Sequence, residues 1–418
     1  MWLCHTVNRV RTPLSPVLAL TLGLAACTPA TAPTLTPTAR APIPSPAAKV
    51  FTPDPARTCQ WDVAATTPPL MTAGEGWRMA VAFTDGYPAD VASTRDGQVW
   101  VAGSRQKGCT GTDQDSTGAV WRYDGRAWGT VPAPDCAAEL DRVLTTREGA
   151  VWVFGTRHAS DDRCVARWDG GGWIEENGLK GERDVMAASG TDGLWLRKGS
   201  ALVRWTARST RGYALGMTPE LVGVRGSDEA WAAGFRRRER EDADDYTAAE
   251  NVPYFARWNG RAWHSIPSPR LDLPQDARRS SVQLRDLFAA RPAGLWAMGR
   301  VSSDIQAPGC VVDKGTPSCA MGRLLILHWN GTAWSQQLGK LLDWRTGYRM
   351  VPDGSGGLWL PETDGNELTH LTRGRLIPVK LPGGLEHLIA VTTQPDSTRT
   401  WLLGWTGSPA QWVLWSTG

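Results

Sequence analysis

Cysteine side chains offer the most versatile chemistry in this chain of 418 residues, which contains eight of them. Cys4 and Cys27 stand near the N-terminus, and six cysteines lie further along. An even number of cysteines in an exported protein indicates disulfides, although six permit fifteen pairings. Only Cys310 and Cys319 are suggested as partners by proximity, because both lie in one loop that contains Gly and Pro. The other candidates are Cys59, Cys109, Cys136 and Cys164.

Other reactive side chains form no recognisable catalytic or metal-binding pattern. The chain has no His-Glu-x-x-His, no Gly-x-Ser-x-Gly and no phosphate-binding glycine loop. No Cys-x-x-Cys spacing favours a metal site over disulfides, and Asp113 with Asp115 is weak evidence for Ca²⁺. We therefore predict no catalytic residue, no metal and no cofactor. The histidines beyond the N-terminal segment are scattered: His158, His264, His328, His370 and His387.

The N-terminal residues have the pattern of an export signal. Arg9 and Arg11 precede an apolar run from Leu14 to Leu24, which is too short to span a bilayer. The following Leu24-Ala25-Ala26-Cys27 resembles the lipobox of bacterial lipoproteins. That resemblance implies cleavage before Cys27 and lipid on its thiol; the alternative is an ordinary signal with a chance cysteine. We predict a signal peptide over 1–26 and a protein anchored at the outer-leaflet side of a bacterial membrane.

Residues 27–57 are rich in Pro, Thr and Ala and offer no apolar period to bury. In the extended polyproline form this tether could hold the body up to roughly 90 Å from the lipid. The rest, 58–418, is predicted to be one domain. The formal net charge of +3 is close to neutral for this length, so charge does not favour a nucleic-acid partner.

A Trp-centred apolar unit, preceded by a turn and mostly followed by Gly, recurs seven times in the body. Its mean spacing of about 50 residues falls within the range of propeller repeats. The unit is typified by DGQVWVAG and EGAVWVFG. Its centres are Trp100, Trp152, Trp195, Trp231, Trp296, Trp359 and Trp401.

A second unit follows most of these, with a strand ending in Asp-Gly or Asn-Gly and then a Trp-led strand, as in WRYDGRAW and RWNGRAW. Such dipeptides predict tight hairpins, here of type I′ with positive φ at both central positions. Each repeat then holds about four strands, here called a to d, which is the blade of a propeller. Apolar runs such as LLILHW do not alternate with polar residues, as expected for blades covered on both faces. The prediction is an all-β, seven-bladed β-propeller.

The ends of the body predict how the ring closes. The seventh repeat stops after Gln411–Trp415 without a d strand, whereas Gly76–Phe83 precedes the first repeat and carries Trp77 at the start position of a d strand. We expect this N-terminal strand to complete the last blade, which removes an open sheet edge.

The b-strand units resemble the Gly-x-x-Trp-x-Gly core of secreted two-component-regulator-type propeller repeats over most of the body. Propellers of that kind include sensor ectodomains, scaffolds, lectins and enzymes. The resemblance therefore implies an architecture and leaves the function open.

Long connections are predicted on only one face of the ring. They are the b-to-c loops Ser104–Gly118, Thr156–Arg163, Phe235–Pro253 and Val301–Gly322, with the inter-blade segment Ser265–Val282. Five cysteines, Cys109, Cys136, Cys164, Cys310 and Cys319, are expected in these long loops or in inter-blade connections on the same face, where disulfides would brace them. Braced loops on a rigid scaffold favour a binding face, although bracing could serve only to resist proteolysis.

The leading hypothesis is a non-catalytic module that binds an envelope or extracellular protein. Arg238 and Tyr246 lie in a mixed-charge loop that is either a solvated loop or a docking loop. A glycan-binding propeller would need exposed aromatic residues at equivalent positions; most Trp residues are predicted to be core, leaving Trp344 and Trp405 as candidates. A hydrolase or lyase would need carboxylates or His at the channel mouth. Ser93 to Trp100 departs from a sialidase Asp box because Asp96 and Gly97 are adjacent.

Overall fold

The chain divides into two units, Met1–Ser45 and Pro46–Gly418. In the computed structural model all described residues belong to the second unit. They are residues 49–51, 76–83, 86–106, 116–157, 160–179, 185–238, 250–273, 277–290, 294–306, 320–342, 347–363, 365–407 and 410–417.

Thirty strands are described, together with one turn of 3₁₀ helix at Asn177–Leu179. The first two strands are β1 (Lys49–Phe51) and β2 (Trp77–Phe83). The first blade contains β3 (Tyr87–Ser93), β4 (Val99–Gln106), β5 (Ser116–Tyr123) and β6 (Trp128–Val131). The second contains β7 (Ala137–Thr145), β8 (Val151–Arg157), β9 (Ser160–Trp168) and β10 (Trp173–Glu175). The third contains β11 (Val185–Ser189), β12 (Gly193–Lys198), β13 (Ala201–Thr206) and β14 (Ser209–Tyr213).

The fourth blade contains β15 (Thr218–Gly226), β16 (Glu229–Arg238), β17 (Glu250–Trp258) and β18 (Trp263–Ile266). The fifth contains β19 (Ala277–Ala290), β20 (Gly294–Gln306), β21 (Ala320–Trp329) and β22 (Trp334–Leu342). The sixth contains the split inner strand β23 (Gly347–Tyr348) and β24 (Val351–Pro352), then β25 (Leu358–Thr363), β26 (Leu368–Thr372) and β27 (Arg375–Val379). The seventh contains β28 (Leu385–Thr393), β29 (Thr400–Gly407) and β30 (Ala410–Thr417).

Apart from β1, these strands form seven antiparallel sheets in the order a-b-c-d. The innermost strands contact each other around a ring in which β28 returns to β3. The predicted fold, a seven-bladed β-propeller of four-stranded blades, is confirmed. Each b-strand Trp unit lies on the second strand of its blade, as at Trp100 on β4 and Trp401 on β29.

The seventh blade takes its outermost strand from the N-terminal side of the ring. Strand β2 pairs antiparallel with β30, with Trp77 opposite Thr417 and Phe83 opposite Trp412. Strand β1 then pairs parallel with β2. Lys49–Phe51 had been assigned to the tether from composition; a strand forms there because β2 offers unpaired backbone groups along its outer edge.

Tryptophan packing between blades explains the repeat. Trp100 is fully buried in the first blade, and its ring centroid lies 5.4 Å from that of Trp168 and 6.0 Å from that of Trp173, both in the second blade. On the neighbouring c strand, the Arg122 guanidinium lies 4.9 Å from the Trp100 centroid. The same cation and Trp arrangement recurs in the second, third and fourth blades, at Arg167 with Trp152, Arg204 with Trp195 and Arg257 with Trp231. The core role predicted for most of the Trp residues is confirmed.

A glycine three residues after the Trp lets the innermost strand bulge inward. At Gly155 an added Cβ would lie 1.7 Å from the carbonyl oxygen of Glu139, so only glycine fits. The strand pairing shifts by one residue just beyond this contact, between Leu140 and Arg142. The bulge turns the residues after it toward the axis of the ring.

Two local predictions are corrected by the structure. At the Asp-Gly hairpin of the first blade, only Gly125 has positive φ, so the turn is not type I′. Asp124 instead caps it, because its Oδ1 accepts the backbone N–H groups of Arg126 and Ala127. In the second blade, the predicted long loop Thr156–Arg163 is mostly paired strand, with Thr156 opposite Arg163.

Candidate functional site

The two faces of the ring differ in how their connections are built. The turn face carries the a-to-b and c-to-d turns, which side chains cap tightly, as Asn259 and Asn330 do through their Oδ1 atoms. The loop face carries the b-to-c connections and the segments between blades. Open space suited to a ligand is therefore expected on the loop face.

A groove of about 680 Å³ opens on the loop face at the junction of the fourth and fifth blades. It lies beside the last residues of β16, the first residues of β17 and the end of β18. Among the described residues that line it, Arg236 is the one charged residue. The lining residues are Arg236, Val252, Tyr254, Ser265, Ile266, Pro267 and Ser268.

Arg236 is held in one conformation although it is exposed. Its guanidinium lies 3.7 Å from the centroid of the Tyr254 ring, and its Nε donates to the carbonyl oxygen of Gly216 at 3.0 Å. Tyr254 is buried, so the ring provides a fixed support. Among the described residues no carboxylate pairs with Arg236. A stacked and pre-oriented guanidinium is well suited to bind a carboxylate through two parallel hydrogen bonds.

The opposite wall of the groove is fixed by the fifth blade. The indole N–H of Trp334 donates to the carbonyl oxygen of Pro267 at 2.6 Å. Gln336 and Asp272 exchange two further hydrogen bonds, of 3.0 Å and 2.5 Å. The groove is thus formed before any ligand arrives, which lowers the ordering cost of binding.

A disulfide between Cys136 and Cys164, with Cα atoms 5.5 Å apart, closes the junction of the first and second blades. Cys136 lies just before β7, as expected for an inter-blade connection, but Cys164 lies within β9 and is fully buried. The backbone N–H of Cys136 also donates to Glu175 at 2.7 Å. This disulfide therefore locks core strands and does not brace a long loop.

Two carboxylates on innermost strands, Asp90 on β3 and Asp286 on β19, each join two blades. Asp90 accepts the backbone N–H of Val91 and, from the next blade, that of Val143, each at 2.9 Å. Asp286 likewise accepts from Leu287 at 2.8 Å and from Met350 in the next blade at 2.6 Å. Both oxygens of each carboxylate are engaged, so these groups join neighbouring blades.

Two arginines balance these carboxylates. Arg142 and Arg349 lie one residue before the two cross-blade donors and act electrostatically on both Asp90 and Asp286. Burial raises the pKa of Asp90 and of Asp286, and the hydrogen bonds and arginines only partly oppose that rise. Arg142 also donates to the carbonyls of Val185 at 3.1 Å and Met186 at 3.2 Å in the third blade. Each of the two carboxylates is thus held by backbone donors and lies in the field of two arginines.

One histidine and carboxylate pair lies on the turn face. His370 Nε2 is 2.8 Å from Asp353 Oδ2, and Ser355 donates to the same oxygen. Burial acts to raise the pKa of Asp353, but hydrogen bonds from His370 and Ser355 hold it below its usual value. The imidazole stacks on Trp359 with centroids 4.1 Å apart. Because Ser355 binds Asp353 and not His370, the cluster stabilises a turn and lacks the order of a catalytic triad.

The candidate binding residues from the sequence that the structure describes, Trp405 and Arg238, lie on different blades. Trp405 on β29 is half-buried, with its ring centroid 5.2 Å from that of Trp412. Arg238 ends β16 opposite Glu250 in the strand register. The remaining residues singled out lie outside the described part of the chain: Cys27, Cys59, Cys109, Cys310, Cys319, Tyr246, Trp344, Asp113 and Asp115.

The glycan alternative predicted exposed aromatic residues at equivalent positions in several blades. Among the described residues the large exposed apolar side chains are Tyr87, Ile174 and Ile377, which include one aromatic residue. The ring centroid of Tyr87 lies 6.4 Å from that of Trp412 in the seventh blade. An aromatic rim repeated from blade to blade is not present in the described part of the chain.

Sequence reasoning missed Arg236, Tyr254 and the axial charges. Arg236 is the first residue of the mixed-charge stretch that contains Arg238 and Tyr246, but its stacking on Tyr254 depends on the pairing of β16 with β17. The bulges that bring Asp90 and Asp286 to the axis have no periodic signature in sequence.

Within the described residues, no cluster of three or more His, Cys, Asp or Glu is placed to hold a metal ion. A helix long and apolar enough to cross a membrane is likewise not found in that part of the chain.

Scans against protein-family models and curated proteins gave no match. Among solved structures, the chain is similar to the β-propeller domain of the trilobed protease from Pyrococcus furiosus (8% identity, TM-score 0.48, covering 79% of this chain and 93% of that one). It is also similar to YCF48 bound to D1 peptide (12% identity, TM-score 0.45, 82% and 97% covered). A third is the N-terminal domain of Nup159 (9% identity, TM-score 0.44, 82% and 96% covered). These similarities concern the fold alone.

Proposed function

We propose that this protein is a lipid-anchored extracytoplasmic propeller that acts as a non-catalytic interaction module in the cell envelope. Its loop face binds an envelope or extracellular protein. Lipid on Cys27 anchors the chain, and the Pro-rich segment after it carries the propeller away from the membrane surface.

The observation that carries this proposal is the preformed groove on the loop face, lined by the fourth blade and the segment after it, with one pre-oriented arginine. The carboxylates at the axis already have backbone partners on both oxygens, which favours a structural role for them over catalysis. The buried disulfide between Cys136 and Cys164 supports an oxidising compartment.

The location is tested by detergent phase partition of the native protein and of a Cys27→Ser variant. The native protein should enter the detergent phase and incorporate labelled fatty acid, whereas the variant should do neither. Equal partition of the two proteins would contradict the lipid anchor.

The binding role is tested by chemical cross-linking in native envelopes, followed by affinity capture of the tagged protein. The test variant has shortened connections at 239–249, between β16 and β17, and at 307–319, between β20 and β21. A partner captured by the native protein and lost from the variant supports the proposal. Capture of nothing specific, or equal capture by both, contradicts it and directs attention to glycan-binding and hydrolase assays.

A further inference from the structure

We infer that the groove at the junction of the fourth and fifth blades binds an extended acidic peptide, with a partner's Asp or Glu on Arg236 and an adjacent apolar side chain on the groove floor. This inference rests on the proposed function and names the ligand of that face.

Charge complementarity selects an acidic ligand. Arg236 is exposed; among the described residues it is the one charged residue lining the groove, and none of them gives it a carboxylate partner. Its Nε is committed to Gly216, and the Tyr254 ring lies against one face of the guanidinium. The remaining N–H donors can form a bidentate pair with a carboxylate, at little cost in side-chain entropy because the arginine is already ordered.

The rest of the lining selects a peptide. Val252, Tyr254, Ile266 and Pro267 present apolar surface next to Arg236, which suits an apolar side chain beside the acidic one. The hydroxyl groups of Ser265 and Ser268 can each donate to or accept from peptide groups. The volume of about 680 Å³ is that of a specific ligand pocket and is too small for a folded domain.

The walls do not need to move to accept such a peptide. The Trp334 bond to Pro267 and the paired bonds between Gln336 and Asp272 hold one wall against the fifth blade. The Arg236 side, on β16 and β17, belongs to the sheet of the fourth blade. Binding is therefore expected to involve little rearrangement of the propeller.

The test uses full-length protein in detergent micelles and a displayed library of random heptapeptides. Enriched peptides are synthesised with their acidic residue and with the matching amide, and their Kd is measured by fluorescence anisotropy. We expect Asp or Glu beside an apolar residue in the enriched peptides. Replacing the acid by its amide should weaken binding about tenfold or more.

Variants of the protein locate the binding. Arg236→Ala should weaken binding about tenfold or more, and Arg236→Lys should also weaken it because an ammonium cannot form the fork. Arg261→Ala is the matched control, since Arg261 is exposed on the opposite face of the same blade, and it should leave the Kd unchanged. Arg236→Glu should reject the acidic peptide and accept the same peptide with Lys in the acidic position.

Four results would overturn the inference. They are enrichment without acidic residues, no enrichment at all, an unchanged Kd with Arg236→Ala, or equally strong displacement of the peptide by galacturonate or anionic vesicles. If the cross-linked partner is still captured by Arg236→Ala but lost on shortening the loops, the groove assignment fails while the proposed function stands.

Discussion

The junction of the first and second blades and the junction of the fourth and fifth share one sequence motif and differ in what surrounds it. The connecting segments read Val131-Pro132-Ala133-Pro134 and Ile266-Pro267-Ser268-Pro269. In each, a Trp of the following blade donates its indole N–H to the first Pro carbonyl: Trp173 to Pro132 at 2.7 Å and Trp334 to Pro267 at 2.6 Å. This bond from the Trp indole to the Pro carbonyl, here called the clamp, is thus the same at both junctions.

The surroundings of the clamp decide whether the junction is sealed or open. At the first junction, Val131 and Ala133 pack on a cluster that contains the buried Cys136 and Cys164, and Asp90 accepts the N–H of Val143 across the blades. In the fourth blade, Leu221 holds the register position that Asp90 holds in the first, and the connection to the next blade is longer. Space next to the clamp remains there as the groove. A repeated fold thus leaves an open groove where one copy, in its described residues, lacks the cross-blade bond that another copy makes.

The largest expected effect comes from removing the disulfide at the sealed junction. Replacing both Cys136 and Cys164 by Ser should lower the free energy of unfolding by about 3 kcal/mol, because the unfolded chain loses a constraint. Denaturant unfolding followed by Trp fluorescence measures it. Peptide binding at the other junction should not change, and a variant as stable as the native protein would show that the disulfide is not what seals this junction.

The second largest effect is expected from Asp90, whose bond across the first junction has no counterpart among the described residues at the junction of the fourth and fifth blades. Asp90→Asn keeps one acceptor oxygen and turns the other into an amide donor, so either the Val91 or the Val143 N–H loses its acceptor, which should cost about 1–3 kcal/mol. Burial raises the pKa of Asp90, so the folded state binds its proton more tightly than the unfolded state does. The stability that this carboxyl contributes by binding a proton is therefore fully present below its ordinary pKa and is lost as the pH rises through the raised value.

The loss caused by Asp90→Asn should accordingly be larger in mildly acidic buffer than at neutral pH. Unfolding of the native protein and the variant across that range provides the measurement. The groups that act on Asp90, namely Arg142 and Arg349, are unchanged in the variant. A cost that does not vary with pH would indicate that Asp90 is fully ionised in the folded state.

Removing the indole donor of the clamp should lower stability equally at the two junctions. It should weaken peptide binding at only one of them. Trp173→Phe and Trp334→Phe each keep a ring and leave a Pro carbonyl without its donor, at a cost of about 1 kcal/mol. Thermal melting should show matched shifts. Only Trp334→Phe should weaken peptide binding, and weakening by Trp173→Phe would argue against a site confined to the open junction.

Arg236→Ala should have the smallest effect on stability, within about 0.5 kcal/mol, because the residue is exposed and lacks a charged partner among the described residues. Melting temperature measures this. A larger loss would identify Arg236 as a structural residue and would weaken its assignment to ligand binding.

Sequence patterns predicted the propeller because its elements are local. The Trp units mark the b strands, the Gly-containing turns mark the hairpins, and Trp77 marks a strand that begins like the other d strands. The turn type was wrong because Asp124 caps the chain with its side chain, and propensity alone does not reveal that. The long loop expected at Thr156–Arg163 was wrong because polar residues there continue the strand pairing.

By itself, the amino-acid sequence determined the class of fold, the number of blades and the phase of the Trp core, because these follow from short repeated patterns of apolar residues and turns. It also carries the predicted signal and the candidate lipid site at Cys27. The tertiary structure alone decided that Cys136 meets Cys164, that Asp90 and Asp286 join blades at the axis, and that Arg236 stacks on Tyr254 beside an open groove. Those contacts join residues of different strands or blades, and their geometry depends on bulges and connection lengths that no local pattern encodes.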